Sequence, residues 1–288
     1  MVSRFPLLLS GVLYVSCAMA IDLFPLWDFN QPELSEQRFR AALSTASGDD
    51  ALILQTQIAR TYGLRRDFAR AQQIMKSIEP EIATASAEVR VRYEIEFGRT
   101  LASVKHAADS QTPAVKEQAR SRYLRALELA QAHQLDALAI DALHMMVVDT
   151  EPLDQLKWVE KALAIAVSSS QPAARNWEAS LRNNAGYALH QLQRYDEALD
   201  QFRKAVVLRE RRSDAQATRV AHWMVAWTLR ALNRLDEALE IQLRLERECD
   251  AAGVPDPYVF DELEALCRAN GDVALAHRYA EKRKRLTR

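Results

Sequence analysis

The sequence predicts an all-α chain folded as an α-α superhelix, a solenoid of about six helix pairs with one leading helix. Three observations carry this. Only 7 Gly and 9 Pro occur in 288 residues, and the abundant Ala and Leu favour helix throughout. The stretch from Ser180 to Leu245 states one pattern twice: Tyr195-Asp196-Glu197-Ala198-Leu199 returns 40 residues later as Leu235-Asp236-Glu237-Ala238-Leu239. A period of this size marks a stacked repeat array. Third, Tyr195, Ala198, Leu199, Phe202, Ala205 and Val206 follow the three-four spacing of an amphipathic helix. No single pair can bury such a stripe, so neighbouring pairs must supply the missing surface.

The chain divides into a leader over 1–20, an N-terminal capping segment and half-repeat over 21–50, and the repeat domain over 51–288. Met1 to Ala20 carries Arg4, an apolar run from Phe5 to Val15, and Ala18-Met19-Ala20. That is the layout of a signal peptide with a small-residue cleavage site, too short to span a bilayer. It implies an exported chain, periplasmic or secreted, with no stable membrane span after cleavage. The alternative is a cytoplasmic chain whose translation starts at Met19. Cys17 is not read as a lipid anchor, because Tyr14 stands where a small aliphatic residue belongs.

Residues 21–30 (IDLFPLWDFN) are apolar and aromatic but too short for a helix. They suit a cap over the exposed end of the first pair. Pro32 and Glu33 then open a leading helix to about Ala46, in which Phe39 and Ala42 have the spacing of a second repeat helix. Pairs follow: Ile58, Ala59 and Tyr62 face Phe68, Ala71, Met75 and Ile78; a helix from about Ala87 that holds Gly98 and Leu101 faces a partner over 117–133 through Tyr123 and Ala126. Residues 105–114 (KHAADSQTPA) read as an insertion of about ten residues. A pair over roughly 136–148 and 153–168 has a loosely defined register. The two clear copies come next, then helices over 256–269 and 272–285. The marker positions Ser35, Ala71, Ala119, Gln155, Ala198, Ala238 and Ala276 are 36, 48, 36, 43, 40 and 38 apart.

This pattern resembles the tetratricopeptide repeat family, with Gly186 at its small position, Ala198 at its inter-helix alanine, and Phe202 and Ala205 in the second helix. The spacings exceed the family's 34, which implies lengthened loops and a less regular superhelix. Gly186 and Ala198 are expected to face each other where the helices cross. The resemblance is strongest over 180–245 and weakest over 87–168.

The family also implies where a ligand lies, since the first helix of each pair lines the concave face. On this sequence that row is Asn183, Tyr187 and His190, then Trp223, Trp227 and Arg230, then Asp261 and Arg268. Nearer the N-terminus it gives Arg60 and Arg99. Surfaces of aromatic residues and arginine favour protein binding, because they join large contact area to directional donors. Two readings stand for Trp223 and Trp227: packing within an irregular stack, or groove residues. Val225, Ala226 and Leu229 already take the core-facing positions, which favours the groove. On that reading, Trp227→Ala with Arg230→Ala weakens partner capture and leaves melting almost unchanged. Some members of the family grip a C-terminal carboxylate with paired lysine and asparagine; here the corresponding places hold Asn183 and Tyr187, then Trp223 and Trp227, and the lysine is absent.

Catalytic patterns are missing. The seven glycines are isolated, so no phosphate-cradling loop exists, and the six histidines show no zinc-ligand spacing. Ser168-Ser169-Ser170 before Gln171-Pro172 has linker chemistry. Cys249 and Cys267 are expected to be buried and reduced, as a bridge needs Cα atoms within about 7 Å. The formal charge of −1 supplies no general attraction to nucleic acid or anionic lipid. The basic tail from His277 suits a solvated last helix whose cations complement its dipole. The expectation is a non-catalytic scaffold or adaptor, without cofactor or metal, that binds a protein or peptide. A helical-repeat RNA binder and a regulatory subunit of an enzyme complex are the alternatives. Oligomeric state is left open.

Overall fold

The computed structural model describes residues 21–147, 150–212 and 214–286; the leader expected at 1–20 lies outside the described residues. The described residues form α-helices and two short 3-10 turns, with no strand. In chain order the helices are α1 (Pro32–Leu43), α2 (Gly48–Leu64), α3 (Phe68–Ile82), α4 (Ala87–Leu101), α5 (Pro113–Ala132), α6 (Asp136–Met145) and α7 (Pro152–Ser168). The single turn α8 (Pro172–Arg175) follows. The chain then continues as α9 (Glu178–Gln191), α10 (Tyr195–Glu210), α11 (Ala215–Ala231), α12 (Leu235–Ala251), α13 (Pro257–Ala269) and α14 (Val273–Leu286). No described helix is long and apolar enough to cross a membrane.

Local chemistry sets the boundaries. The side chains of Asp67, Ser86, Thr112, Asp214 and Asp256 each accept an N–H from the first turn of the helix they precede, which satisfies one of its free donors. The turns inside the pairs end alike. Arg66, Gln193, Asn233 and Gly271 all have positive φ. In each case the next residue's N–H returns to a carbonyl one turn back: Asp67 to Tyr62, Arg194 to Leu189, Arg234 to Leu229, Asp272 to Cys267. This is the Schellman closure, and it turns the chain from first to second helix in α2/α3, α9/α10, α11/α12 and α13/α14.

Pairs α2/α3, α4/α5, α6/α7, α9/α10, α11/α12 and α13/α14 follow the predicted order. First helices touch successive first helices (α2 with α4, α4 with α6, α9 with α11, α11 with α13), whereas successive second helices stand further apart. The array therefore curves toward its first helices, and they form the concave face. Between α6 and α9 the row is interrupted by α8, which packs on α6 and α7. The stretch read as a plain linker thus holds a helical turn. Ser169 in it is buried and donates to the Asp136 carboxylate at 2.6 Å.

The core is a chain of clusters along the stack. Phe39, Leu54 and Ile58 fill the first; Ile140, Leu156, Leu181, Leu189, Phe202 and Leu229 belong to the largest. The N-terminal segment caps the first cluster: Trp27 stacks on Phe29 at 4.6 Å and meets the edge of Phe39 at 4.9 Å. Cys249 and Cys267 are buried and free.

One packing expectation needs correction. The close approach at Gly186 is to the ring of Phe202, not to Ala198. A Cβ at 186 would lie 2.7 Å from that ring. Gly98 repeats the arrangement against Tyr123, where a Cβ would lie 2.4 Å away. Phe202 follows its glycine by 16 residues and Tyr123 follows Gly98 by 25. The difference is absorbed by the loop 102–112 between α4 and α5, the insertion expected from sequence. That loop is pinned by His106, whose ring stacks on Phe68 at 3.5 Å.

Candidate functional site

The concave face has two halves, divided at α8. The C-terminal half is built of rings. On α9, Tyr187 and His190 are one turn apart and both approach Trp227 of α11. The His190 ring lies 3.3 Å from it, interplanar angle 14°, and Tyr187 6.1 Å. Trp223, one turn earlier on α11, stacks with Trp227 at 5.8 Å and meets the edge of Tyr258 on α13 at 6.3 Å. The result is a continuous aromatic ledge across three first helices. Its ends are open: Tyr187 is 42% exposed and Tyr258 68%.

Trp223 and Trp227 carry both readings offered for them. Both are half-buried and touch core clusters, and the Trp223 indole N–H donates to the Tyr258 carbonyl at 3.1 Å. They are the floor of the ledge, and the tyrosines are its accessible edges. Arg230 makes a bidentate pair with Glu262 at 2.8 Å for each bond. Glu262 is 4% exposed, so Arg230 ties α11 to α13. Removing it strands a buried carboxylate, and the Trp227→Ala, Arg230→Ala variant is therefore a destabilised protein rather than a neutral probe.

Burial lowers the His190 pKa to about 4, with the Arg230 charge adding to the effect. The ring is neutral at pH 7, and its buried Nε2 has no hydrogen-bond partner. Asn183, on the same helix face, lines a shallow cleft with Ser180, Arg209 and Gln216. Asp261 and Arg268 do not join the ledge through contacts. Asp261 pairs with Arg283 of α14, and Arg268 with Glu264 at 2.6 Å. These charges give the last pair a polar cover, as the end of a solenoid requires. The partners that α13 gives to Trp223 and Arg230 are Tyr258 and Glu262, which sequence reasoning missed. Tyr258 follows Asp256 and Pro257 at the helix start, one turn before the Asp261 marked from sequence.

The N-terminal half is built of charges. Arg99 of α4 donates to Glu96 at 2.5 Å and to Asp141 of α6 at 2.5 Å. Arg60 of α2 lies 3.6 Å from the same Glu96 oxygen. Its guanidinium also sits 5.3 Å over both Trp27 and Phe29 of the cap. Arg60 and Arg99 are thus in the concave row, and Glu96 and Asp141, unmarked in the sequence, are what hold them.

Burial opposes ionisation throughout this network. It draws the Arg60 pKa down, with Arg99 adding to the effect. At Asp141 it pushes the carboxyl up, but Arg99 and Arg60 overcome it and hold the acid below its usual range. Arg99 is raised in turn, since Asp141 and Glu96 outweigh its own burial. Burial also keeps His144 below its ordinary value despite nearby Asp141.

Comparison with known proteins agrees with this architecture. The tetratricopeptide repeat family model matches residues 177–246. No curated protein matches the sequence significantly. Among solved structures, the apo form of RapI superposes with a TM-score of 0.67 at 12% identity, covering 89% of this chain and 71% of that one. A signal transduction ATPase with a tetratricopeptide repeat sensor, from Pyrococcus horikoshii, gives 0.65 at 12% identity over 88% of this chain. This chain spans 38% of that protein's length. Residues 177–246 carry the tetratricopeptide repeat pattern, and the fold of the chain is the all-α solenoid of those structures.

Proposed function

We propose that this chain is a non-catalytic scaffold that binds a protein or peptide on its concave face, with the aromatic ledge of α9, α11 and α13 as the main contact. One observation carries the reading. Five rings from three helices are held side by side, and the two end rings, Tyr187 and Tyr258, stay open to solvent. Fixed aromatic side chains give large contact area at little entropic cost, which is why they dominate binding hot spots. Peptides presented to this face meet rings in one half and a closed charge network in the other.

The test is selection of displayed peptides against the purified full chain, with the bound site mapped by photo-crosslinking. Crosslinks to α9, α11 and α13 are expected. Crosslinks confined to the second helices, or turnover of a substrate by the chain alone, overturn the reading; so does salt-sensitive binding of single-stranded RNA with no selected peptide. We also propose export, on the sequence of residues 1–20. A native chain beginning at Ile21 outside the cytoplasm supports it, and a cytosolic chain beginning at or just after Met19 overturns it.

A further inference from the structure

The rings of the ledge come with hydrogen-bond donors that nothing in the chain uses. The hydroxyls of Tyr187 and Tyr258 bond to no described residue, and both side chains are exposed. The Trp227 indole N–H also lacks a partner and is not fully buried. Asn183 adds an amide one turn before Tyr187. The strong acceptors beside these groups are taken. Both oxygens of Glu262 accept from Arg230, and the Tyr258 carbonyl accepts from the Trp223 indole. The charged residues of the row are matched: Arg230 with Glu262, Asp261 with Arg283, and Arg268 with Glu264. No lone charge selects an ionic partner.

This surface sorts the backbones that a partner could bring. An ordinary extended segment carries one N–H per residue and meets no free backbone acceptor, because the helices use their own carbonyls. A helical partner has its carbonyls internally bonded and leaves the tyrosine and indole donors idle. A polyproline II segment has no internal hydrogen bonds, so its carbonyls stay free to accept. Its prolines have no N–H to satisfy, and they dock on aromatic-lined surfaces. Successive rings of the ledge stand 6.1, 5.8 and 6.3 Å apart. That leaves room for about two turns of such a segment, each advancing ~9 Å.

We propose that the ledge receives a proline-rich segment of the partner in the polyproline II conformation. Its rings lie on Trp223 and Trp227, and its carbonyls accept from Tyr187, Tyr258 and the Trp227 indole. This rests on the concave-face reading and names the kind of peptide bound there. Such a segment is already extended before it binds, so little ordering entropy opposes its docking.

The test titrates the full chain with decaproline, a glycine-serine peptide of equal length, and an amphipathic leucine-lysine helix. The indole N–H resonances of Trp223 and Trp227 are the reporters. Decaproline is expected to shift both saturably, with about tenfold or greater preference over the other two. Tyr187→Phe with Tyr258→Phe keeps both rings and removes both hydroxyls. It is expected to weaken decaproline binding about fivefold or more, the size of one or two neutral hydrogen bonds, and to leave melting unchanged, since neither hydroxyl bonds within the chain. Preference for the glycine-serine peptide or for the helix overturns the proposal, and so does decaproline affinity that the double variant leaves unaltered. If selected peptides crosslink to the ledge while decaproline does not bind, only this proposal falls. If decaproline shifts neither indole and no selected peptide crosslinks to the first helices, the concave-face reading falls with it.

Discussion

The two halves of the concave face occupy equivalent helices and are tied together by different chemistry. In the N-terminal half, α2, α4 and α6 are joined by Arg60, Glu96, Arg99 and Asp141. In the C-terminal half, α9, α11 and α13 are joined by Tyr187, His190, Trp227, Trp223 and Tyr258. Both arrangements bridge three first helices, but they leave different surfaces. Charges must be matched to be buried, so the ionic half closes on itself. Rings can be half-buried at little cost, so the aromatic half leaves a ledge. The repeat fixes where side chains project, and residue type decides whether the place closes or becomes a platform.

The largest break in this comparison is at Arg99. Arg99→Met strands Glu96 and Asp141 as buried anions and is expected to cost about 3–5 kcal/mol, read by urea denaturation. Arg230→Met is expected to cost less, because Arg230 is 33% exposed and faces one carboxylate rather than two. Equal, negligible losses at both positions would show that neither half depends on its ion pairs.

Next come the two glycines, one beneath each half. Gly98→Ala and Gly186→Ala push a Cβ into Tyr123 and Phe202. Each is expected to cost about 1–3 kcal/mol of overpacking, and Gly98 the more, since its approach is closer. Thermal melting of the two variants checks both the size and the order.

A smaller effect is read by pH. His190 has its folded-state pKa lowered to about 4 from the ordinary histidine value of 6.5. The unfolded chain therefore binds the proton more readily, and stability from the neutral ring is fully present above about 6.5. It is lost as pH falls toward about 4. His190→Phe keeps a ring against Trp227 and is expected to flatten stability against pH across that window. An unchanged slope would mean that His190 does not titrate with folding.

The repeat was legible because its signals are local. Gly186, Ala198, Phe202 and the recurring Asp-Glu-Ala-Leu segment mark helices and their crossing by type and spacing alone. Arg60, Arg99, Tyr187, Trp223 and Trp227 were assigned to the concave row by carrying the family's first-helix positions onto this sequence. What the family pattern could not supply was partners in neighbouring helices. Glu96 and Asp141 are common helix residues, and nothing in their own sequence neighbourhood says that they close on Arg99. Tyr258 and Glu262 meet Trp223 and Arg230 at separations of 35 and 32 residues, whereas the marker spacing there is 38. Positional equivalence and lateral contact differ where helices are staggered. The turn at α8 was hidden for another reason: four residues carry too little periodicity to distinguish a helical turn from a linker.

The smallest expected change in stability belongs to the variant that matters most for function. Tyr187→Ala with Tyr258→Ala trims the open ends of the ledge and is expected to alter stability by about 1 kcal/mol or less, as surface substitutions do. The deciding measurement is the affinity of a selected peptide for this variant, beside a control in which Asp200 and Lys204, an exposed pair on α10, are both changed to Ala. A loss of about tenfold or more in the ledge variant, with none in the control, is the predicted result. Equal affinities, or a loss confined to the α10 control, would contradict binding on the concave face.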